Sequence, residues 1–420
     1  MKISFKSKKT KITAIAAGVA ALILTLTITL CTIKKNTAKV AFYGISENQI
    51  QLLKDKLNEN TFKNKKIPYS FTVLDSSKDL ASQTKGFDMV ITPMGAASKE
   101  FVSLVPSKNA SEIFLESSVM GKTSIAVANK TGKSADGKIT QLPFYFDGYE
   151  ALLNLKSTEK TKTKKIDSWR DFESFAKKSK DDCPSPILFA GGESDVLLGT
   201  LSCLTESFAG REKLENFSKM LAGFKGDYNE LINEEYNDST SALYEALHRL
   251  VSWKQEKLMI NETMRLKEAD ILSFMKHQNT AIVIMNLSQH RKIPADTIQR
   301  FKTIPEFSKE TQLYFPGNLE ITKRAVVSSA YCFIPLSDSK YVKPTAAYLV
   351  DTAVQEDIAR KTGLAPSLSG CRTPDIQSDD LRYWIAASSG SVAPLGDAAF
   401  INREKKDQFA ECIRNFILAK

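Results

Sequence analysis

The chain has 420 residues, of which 42% are hydrophobic and 25% charged, with 19 Gly and 14 Pro. That composition excludes collagenous, low-complexity and disordered chains, and the length calls for two or three core-sized units. The formal charge of +10 is concentrated at one end: residues 1–35 hold seven Lys and no acid, and setting seven aside from 58 leaves 51 basic against 48 acidic residues over 36–420. A nearly neutral body lacks the electrostatic footprint of a nucleic-acid binder.

Residues 1–11 are basic, with Lys2, Lys6, Lys8, Lys9 and Lys11, and Ile12–Ile33 is an uncharged, mostly apolar run of 22 residues. As a helix such a run spans about 33 Å, enough to cross a bilayer core of roughly 30 Å. The Lys excess before it favours an N-terminus inside and a body outside the cytoplasmic membrane. A cleaved signal peptide shares the basic-then-apolar layout, but the run is long for one and no A-x-A site follows it. Cys31 is a candidate lipidated cysteine, although Leu30 stands where a small residue is expected. The length favours a retained transmembrane anchor at 12–33, and all three readings place residues 36–420 on the periplasmic or extracellular side. Cys183, Cys203, Cys332, Cys371 and Cys412 form no C-x-x-C pair, so zinc-ribbon and thioredoxin-type sites are not expected. Their odd number leaves at least one unpaired in a monomer, and most fit small buried apolar positions.

Beyond the anchor the chain alternates strand and helix signals. Lys39–Tyr43 is strand-like, followed by Ser46 and Gln49 as a capping box and by Ile50, Leu53 and Leu57 at helical spacing. Ser70–Leu74, Asp88–Thr92 and Ser124–Ala128 are further strands, Ser168 starts a helix, and Ser157–Lys165 is a polar, basic loop. Ile187–Ala190 is a short strand stopped by Gly191–Gly192, with a helix following at Val196–Leu204. Leu214, Phe217 and Leu221 share one helix face, and Leu243, Leu247 and Leu250 another. Ala281–Met285 is a continuous apolar strand, Thr345–Lys361 one long helix closed by Gly363, and Phe409, Ile413 and Phe416 face one way on a last helix. This alternation predicts α/β layers with largely parallel sheets.

Catalytic signatures are scarce. The chain has no G-x-G-x-x-G, H-E-x-x-H or G-x-S-x-G, and its three His are His248, His277 and His290, which fit ordinary surface or boundary positions. An exported hydrolase on an α/β scaffold would need a convergent nucleophile and base, and nothing here supplies them. Gly191–Gly192–Glu193–Ser194–Asp195 leads into a helix, where Glu193 and Asp195 could accept hydrogen bonds from hydroxyls or Ser194 or Asp195 could simply cap the helix. Pro143–Asp147 sets three aromatics beside a carboxylate, suited either to a buried strand or to stacking on a ring face.

Four stretches in shared order resemble an extracellular solute-binding protein of the family 1 type, the substrate-binding component of ABC importers. Asp136–Ile139 through Leu142–Pro143 to Ala151–Lys156 is similar to the family's D-G-K-x-x-x-x-P … Y-N-K crossing strand. Asp167–Phe172 is similar to its x-T-W-x-E-F helix start, and His277–Asn286 to its F-x-x-G-K-A-A-M-x-x-x-G strand. Ile304–Pro305, Thr345–Gly363 and Ala365–Pro366 are similar to its L-P crossing, long helix and G-x-x-P turn. Two departures stand out: Leu153–Lys156 replaces Tyr-Asn-Lys, and Asn286–Leu287–Ser288 lacks the aromatic on which many members stack a sugar.

The resemblance implies a two-lobed, periplasmic-binding-protein-like α/β fold of type II, preceded here by the N-terminal transmembrane helix. Lobe one would hold residues 38–140 with about 306–335, and lobe two 147–300 with about 345–420, with crossings near Leu142–Phe146 and Ile304–Pro305. It implies a monomer that catalyses nothing and needs no cofactor or metal, capturing a small polar solute such as a sugar or oligosaccharide and delivering it to ABC permease subunits. Ligand-side positions implied are Tyr43, Thr92, Met94, Tyr145, Asp147, Glu193, Ser194, Asn286, Trp384 and Phe400. The two departures equally fit a degenerate member that has become a scaffold or sensor for a partner.

Overall fold

Residues 37–104, 141–304 and 324–420, apart from 165, 167, 369 and 374, are described by a computed structural model. The basic N-terminus, the 12–33 segment, the strand expected at Ser124–Ala128, the Asp136–Ile139 part of the crossing motif and Pro305 lie outside the described residues. Among the described residues no helix is long and apolar enough to cross a membrane.

The first strand, β1 (Ala38–Phe42), sends Ala38, Val40 and Phe42 into one apolar cluster and Ala41, with Tyr43 just after it, into another. A strand covered on both faces reads as a continuous apolar run, which is the pattern here. Helix α1 (Glu47–Glu59) lays Ile50, Leu53 and Leu57 on the first face. The capping box expected there does not form: Ser46 Oγ donates to Gln49 Oε1 at 3.0 Å instead of accepting from the backbone. Strands β2 (Tyr69–Val73) and β3 (Met89–Pro93) flank β1 and run parallel to it. Helix α2 (Ala96–Leu104) follows β3 and puts Phe101 into the second cluster.

Strand β4 (Leu142–Asn154) holds the two lobes together. All 13 of its residues are buried. Lobe two hangs on its second half. There β5 (Ile187–Leu188) leads toward helix α3 (Ser194–Ala209), which is buried without a break from Val196 to Ser207. Helix α4 (Glu268–His277) precedes β6 (Ile282–Asn286), which runs into the short helix α5 (Leu287–His290), and β7 (Phe301–Ile304) follows. Strands β6 and β7 pair antiparallel with residues 149–154 of β4, and β5 pairs parallel with β6. The polar loop expected at 157–165 begins instead as a helix, Leu155–Lys160, because Asn154 caps it by accepting from the Lys156 N–H.

The chain then returns to lobe one through β8 (Val326–Pro335), antiparallel to both β3 and the first half of β4. The sheet order is β2-β1-β3-β8-β4-β6-β5. It is mixed rather than largely parallel, because the two long central strands run against their neighbours. The long helix expected over Thr345–Lys361 is two helices, α6 (Val342–Leu349) and α7 (Thr352–Thr362). Asp351 divides them, its carboxylate accepting from the Ala353 and Val354 N–H groups, and Gly363 at φ +75 closes α7. Val342, Ala346, Leu349, Val354 and Ile358 pack with β1 and α1. The stretch from 345 to about 371 therefore belongs with lobe one and not, as expected, with lobe two.

The short strand β9 (Ala365–Pro366) pairs with β4, and helix α8 (Ile376–Ala387) covers the opposite face of the lobe-one sheet through Leu381 and Ile385. Strand β10 (Ser391–Val392) pairs with the start of β8. Helices α9 (Leu395–Ala399) and α10 (Arg403–Ala419) complete lobe two through Leu395, Phe400, Phe409 and Ile413. A fully buried ion pair ties β8 to lobe two: Arg324, just before the strand, meets Glu206 of α3 at 2.7 Å.

Candidate functional site

In an open α/β sheet, ligands gather outside the carboxyl ends of the strands. A cavity of 730 Å³ lies at the carboxyl ends of β1 and β3, faced across the gap by the start of α3, by α9 and by the first turn of α10. Lobe one contributes Tyr43, Ser46, Gln51, Lys54 and Thr92, and lobe two Asp195, Asp397, Phe400, Arg403 and Lys406.

Local structure fixes the charged wall. Asn402 caps α10 by accepting from the Glu404 and Lys405 N–H groups, which turns Lys406 toward α3. Lys406 Nζ then pairs with Asp195 Oδ1 at 2.6 Å. Gly396 lets the lysine stem pass, since a Cβ there would stand 3.1 Å from Lys406 Cδ. Asp397 accepts from Ser329 Oγ at 2.6 Å. Its carboxyl is pushed up to about 6, chiefly by burial, against the lowering influence of Lys406. Burial works to lower the Lys406 ammonium, but Asp195 and Asp397 outweigh it and hold it above the ordinary lysine value. The wall thus carries two carboxylates against one half-buried ammonium, with Lys54 and Arg403 at its edges.

Two contacts cross between the lobes beside this cavity. The Tyr43 hydroxyl, at the end of β1, donates to the Ile401 carbonyl. Gly95, just before α2, approaches α9 so closely that a Cβ would stand 2.0 Å from the Asp397 carbonyl oxygen.

Of the ten expected positions, the cavity brings together Tyr43, Thr92 and Phe400. The other seven are held elsewhere. Met94 packs in the lobe-one cluster with Phe101. Tyr145 is 1% exposed among lobe-one apolar residues, its hydroxyl 3.4 Å from the Val354 carbonyl. Asp147 accepts from the Ser288 N–H and Oγ at 3.1 and 2.7 Å, and burial pushes its carboxyl up to about 6. Glu193 precedes α3, and Ser194 Oγ accepts from Arg414 at 3.2 Å. Asn286 caps α5 through the Gln289 N–H. Trp384 packs on the α8 face. The aromatic trio at 144–146 is likewise interior.

Asp397, Lys406, Arg403 and Lys54 went unnoticed in the sequence, where α10 was legible only by its apolar face. The polar Arg403–Asp407 stretch at its start was the available signal. His248 stacks on Tyr236 with ring centroids 3.9 Å apart, and His290 Nδ1 is bonded to the buried Glu150. Among the described residues no group of His, Cys, Asp or Glu could hold a metal ion. Cys183, Cys332 and Cys371 are buried free thiols, Cys412 is a half-buried one, and Cys203 is buried in lobe two.

No family model matches the chain, and no curated protein sequence matches it. Solved structures do match. The bacterial solute receptor AcbH, described as preferring β-D-galactopyranose, aligns with a TM-score of 0.64 at 12% identity, covering 91% of this chain and 98% of its own. A chitin oligosaccharide binding protein aligns with a TM-score of 0.63 at 15% identity, covering 91% and 98%. The binding protein MsmE of Bacillus subtilis, in an open conformation, aligns with a TM-score of 0.63 at 13% identity, covering 92% and 96%. The chain therefore has the two-lobed α/β fold of the solute-binding proteins, the fold that its motif order resembles.

Proposed function

We propose that the protein is an extracytoplasmic receptor that captures a small polar solute, a sugar or short oligosaccharide, in the cleft between its lobes. The observation that carries this reading is the 730 Å³ cavity at the strand ends, walled by groups from both lobes. A cavity of that size accommodates a small ligand, and a few placed polar groups amid apolar surface are what orient one. Asp195 and Asp397 would accept hydrogen bonds from hydroxyls, Lys406 and Arg403 would donate, and Phe400 and Tyr43 would supply apolar flanks. Ligand joining the two walls would favour the closed arrangement, and a permease would read that closure. The similarity to structures described as sugar receptors supports the solute class. The uncharged run at 12–33 supports tethering to the outer face of the cytoplasmic membrane. No chemical step is part of this reading.

A second reading has its own support. Tyr43 and Phe400 are only 4% and 8% exposed, so neither offers a free ring face for stacking. A chain whose cleft has lost its stacking platform would act as a partner-binding scaffold.

Thermal unfolding against a panel of mono- and oligosaccharides, amino acids and peptides separates the two. A true ligand at 100 times its Kd adds about 2.7 kcal/mol of stability. On the receptor reading one saccharide class raises the Tm by several degrees, and Asp397→Asn or Lys406→Ala abolishes the rise. A panel with no shift, from protein shown by native mass spectrometry to carry no ligand, would end the receptor reading in favour of the scaffold.

A further inference from the structure

Lobe two holds a second cavity, of 250 Å³, between α4, α5 and the end of β6. It shares no lining residue with the cleft. Its walls are apolar and interior: Met275, Ile284, Ala190, Met285 and Ile271 are between 0 and 5% exposed. Leu272 of α4 and Ile293, beyond α5, complete it. The polar groups at its rim engage one another. Glu268 Oε1 accepts from Gln289 Nε2 at 3.0 Å, and Glu268 Oε2 pairs with Lys292 Nζ at 2.8 Å. These two bonds clasp α4 to the segment around α5 across the mouth.

A water molecule held below the Glu268–Gln289–Lys292 rim would need two to four polar partners, and the side chains that line that part are all apolar. Apolar cavities stay dry and accept apolar guests, and one of about 150 Å³ suffices for benzene or xenon. Two methionines line the cavity, Met275 from α4 and Met285 from β6, which favours an aromatic guest, because a polarizable thioether packs well against a ring. We propose that this cavity is a second ligand site, distinct from the cleft, that takes an uncharged molecule of one aromatic ring.

Toluene is the probe, titrated into the full chain labelled with ¹³C at the methionine methyls, with Met275→Leu and Met285→Leu assigning the two signals. The expected result is a saturable shift of the Met275 and Met285 methyls alone. Leu272→Trp fills the cavity from α4 and Ile293→Trp fills it from the opposite side, and each should weaken binding at least tenfold. Asp397→Asn, in the cleft, should leave it unchanged. The proposal is overturned if neither methyl shifts, if both filled variants fold with normal methionine spectra and still bind, or if Asp397→Asn abolishes the response.

Discussion

Arg324→Met tests how the lobes are pinned together. Arg324 and Glu206 are both fully buried. The guanidinium gives Glu206 Oε1 and Oε2 bonds of 3.0 and 2.7 Å, and it also donates to the carbonyls of Glu206 and Ser207 at 2.9 and 3.3 Å. The Ala325 N–H adds a bond of 3.0 Å to Oε1. With methionine in place, the carboxylate keeps that backbone donor and loses its counter-charge. Removing one partner of a buried pair costs about 3–5 kcal/mol. At about 1–2 °C per kcal/mol for a body of roughly 385 residues, the midpoint should fall by about 5 °C.

The deficit should depend on pH in a definite direction. Burial already holds the Glu206 carboxyl above its ordinary value, against the lowering effect of Arg324. Without Arg324 it rises further, so the folded state takes up a proton that the unfolded chain does not hold, and the deficit narrows as pH falls from 7 toward 5. The double variant Arg324→Met with Glu206→Leu replaces the pair by apolar volume and should recover most of the loss. Guanidinium unfolding at the two pH values, followed by tryptophan fluorescence, reads all three. A loss below about 1 kcal/mol at pH 7, or a deficit that widens on acidification, would refute the reasoning.

Three further outcomes follow from the same geometry. The Asp147 carboxyl sits at about 6 in the folded protein through burial. Because that lies some two units above its unfolded value, the folded state gains up to about 3 kcal/mol as pH falls from 7 to 4, and Asp147→Asn should remove that gain in pH-dependent unfolding. Gly95→Ala drives a methyl toward the Asp397 carbonyl and should cost about 1–3 kcal/mol while enlarging the radius of gyration in X-ray scattering; a variant with unchanged scattering and Tm would count against the close approach. Tyr43→Phe loses the hydroxyl that bridges to Ile401, a hydrogen bond of about 1 kcal/mol, and should weaken saccharide binding about fivefold with the fold intact; unaltered affinity would remove Tyr43 from the closure.

The alternation of the chain was legible because periodicity reports burial. β1, β3 and β6 show as apolar runs, and Leu214, Phe217 and Leu221 are all buried on one helix face. The family resemblance was legible through motif order, even where single motifs had decayed. The candidate site was much less so. Tyr43 and Thr92 line the cavity, and their places at strand ends are identifiable in the sequence. Tyr145 and Asp147 lie away from that cavity, since a buried strand and a ligand-side strand share the same residues and only β8 and α5 packing on β4 distinguishes them. Asp397 carried no local signal and Lys406 only that of the polar start of α10, since each meets a partner far away in sequence.

The sequence by itself determined the α/β class, the two-lobed family resemblance, the near-neutral body and the basic, apolar N-terminal segment. Only the tertiary structure decided that the sheet is mixed, that residues 345–371 side with lobe one, and that the cleft is walled by the first turn of α10. The physical reason is that spacing encodes which face of an element is apolar, not what covers it. Coverage is settled by packing over hundreds of residues, as when Val354 and Ile358 close on β1 and α1.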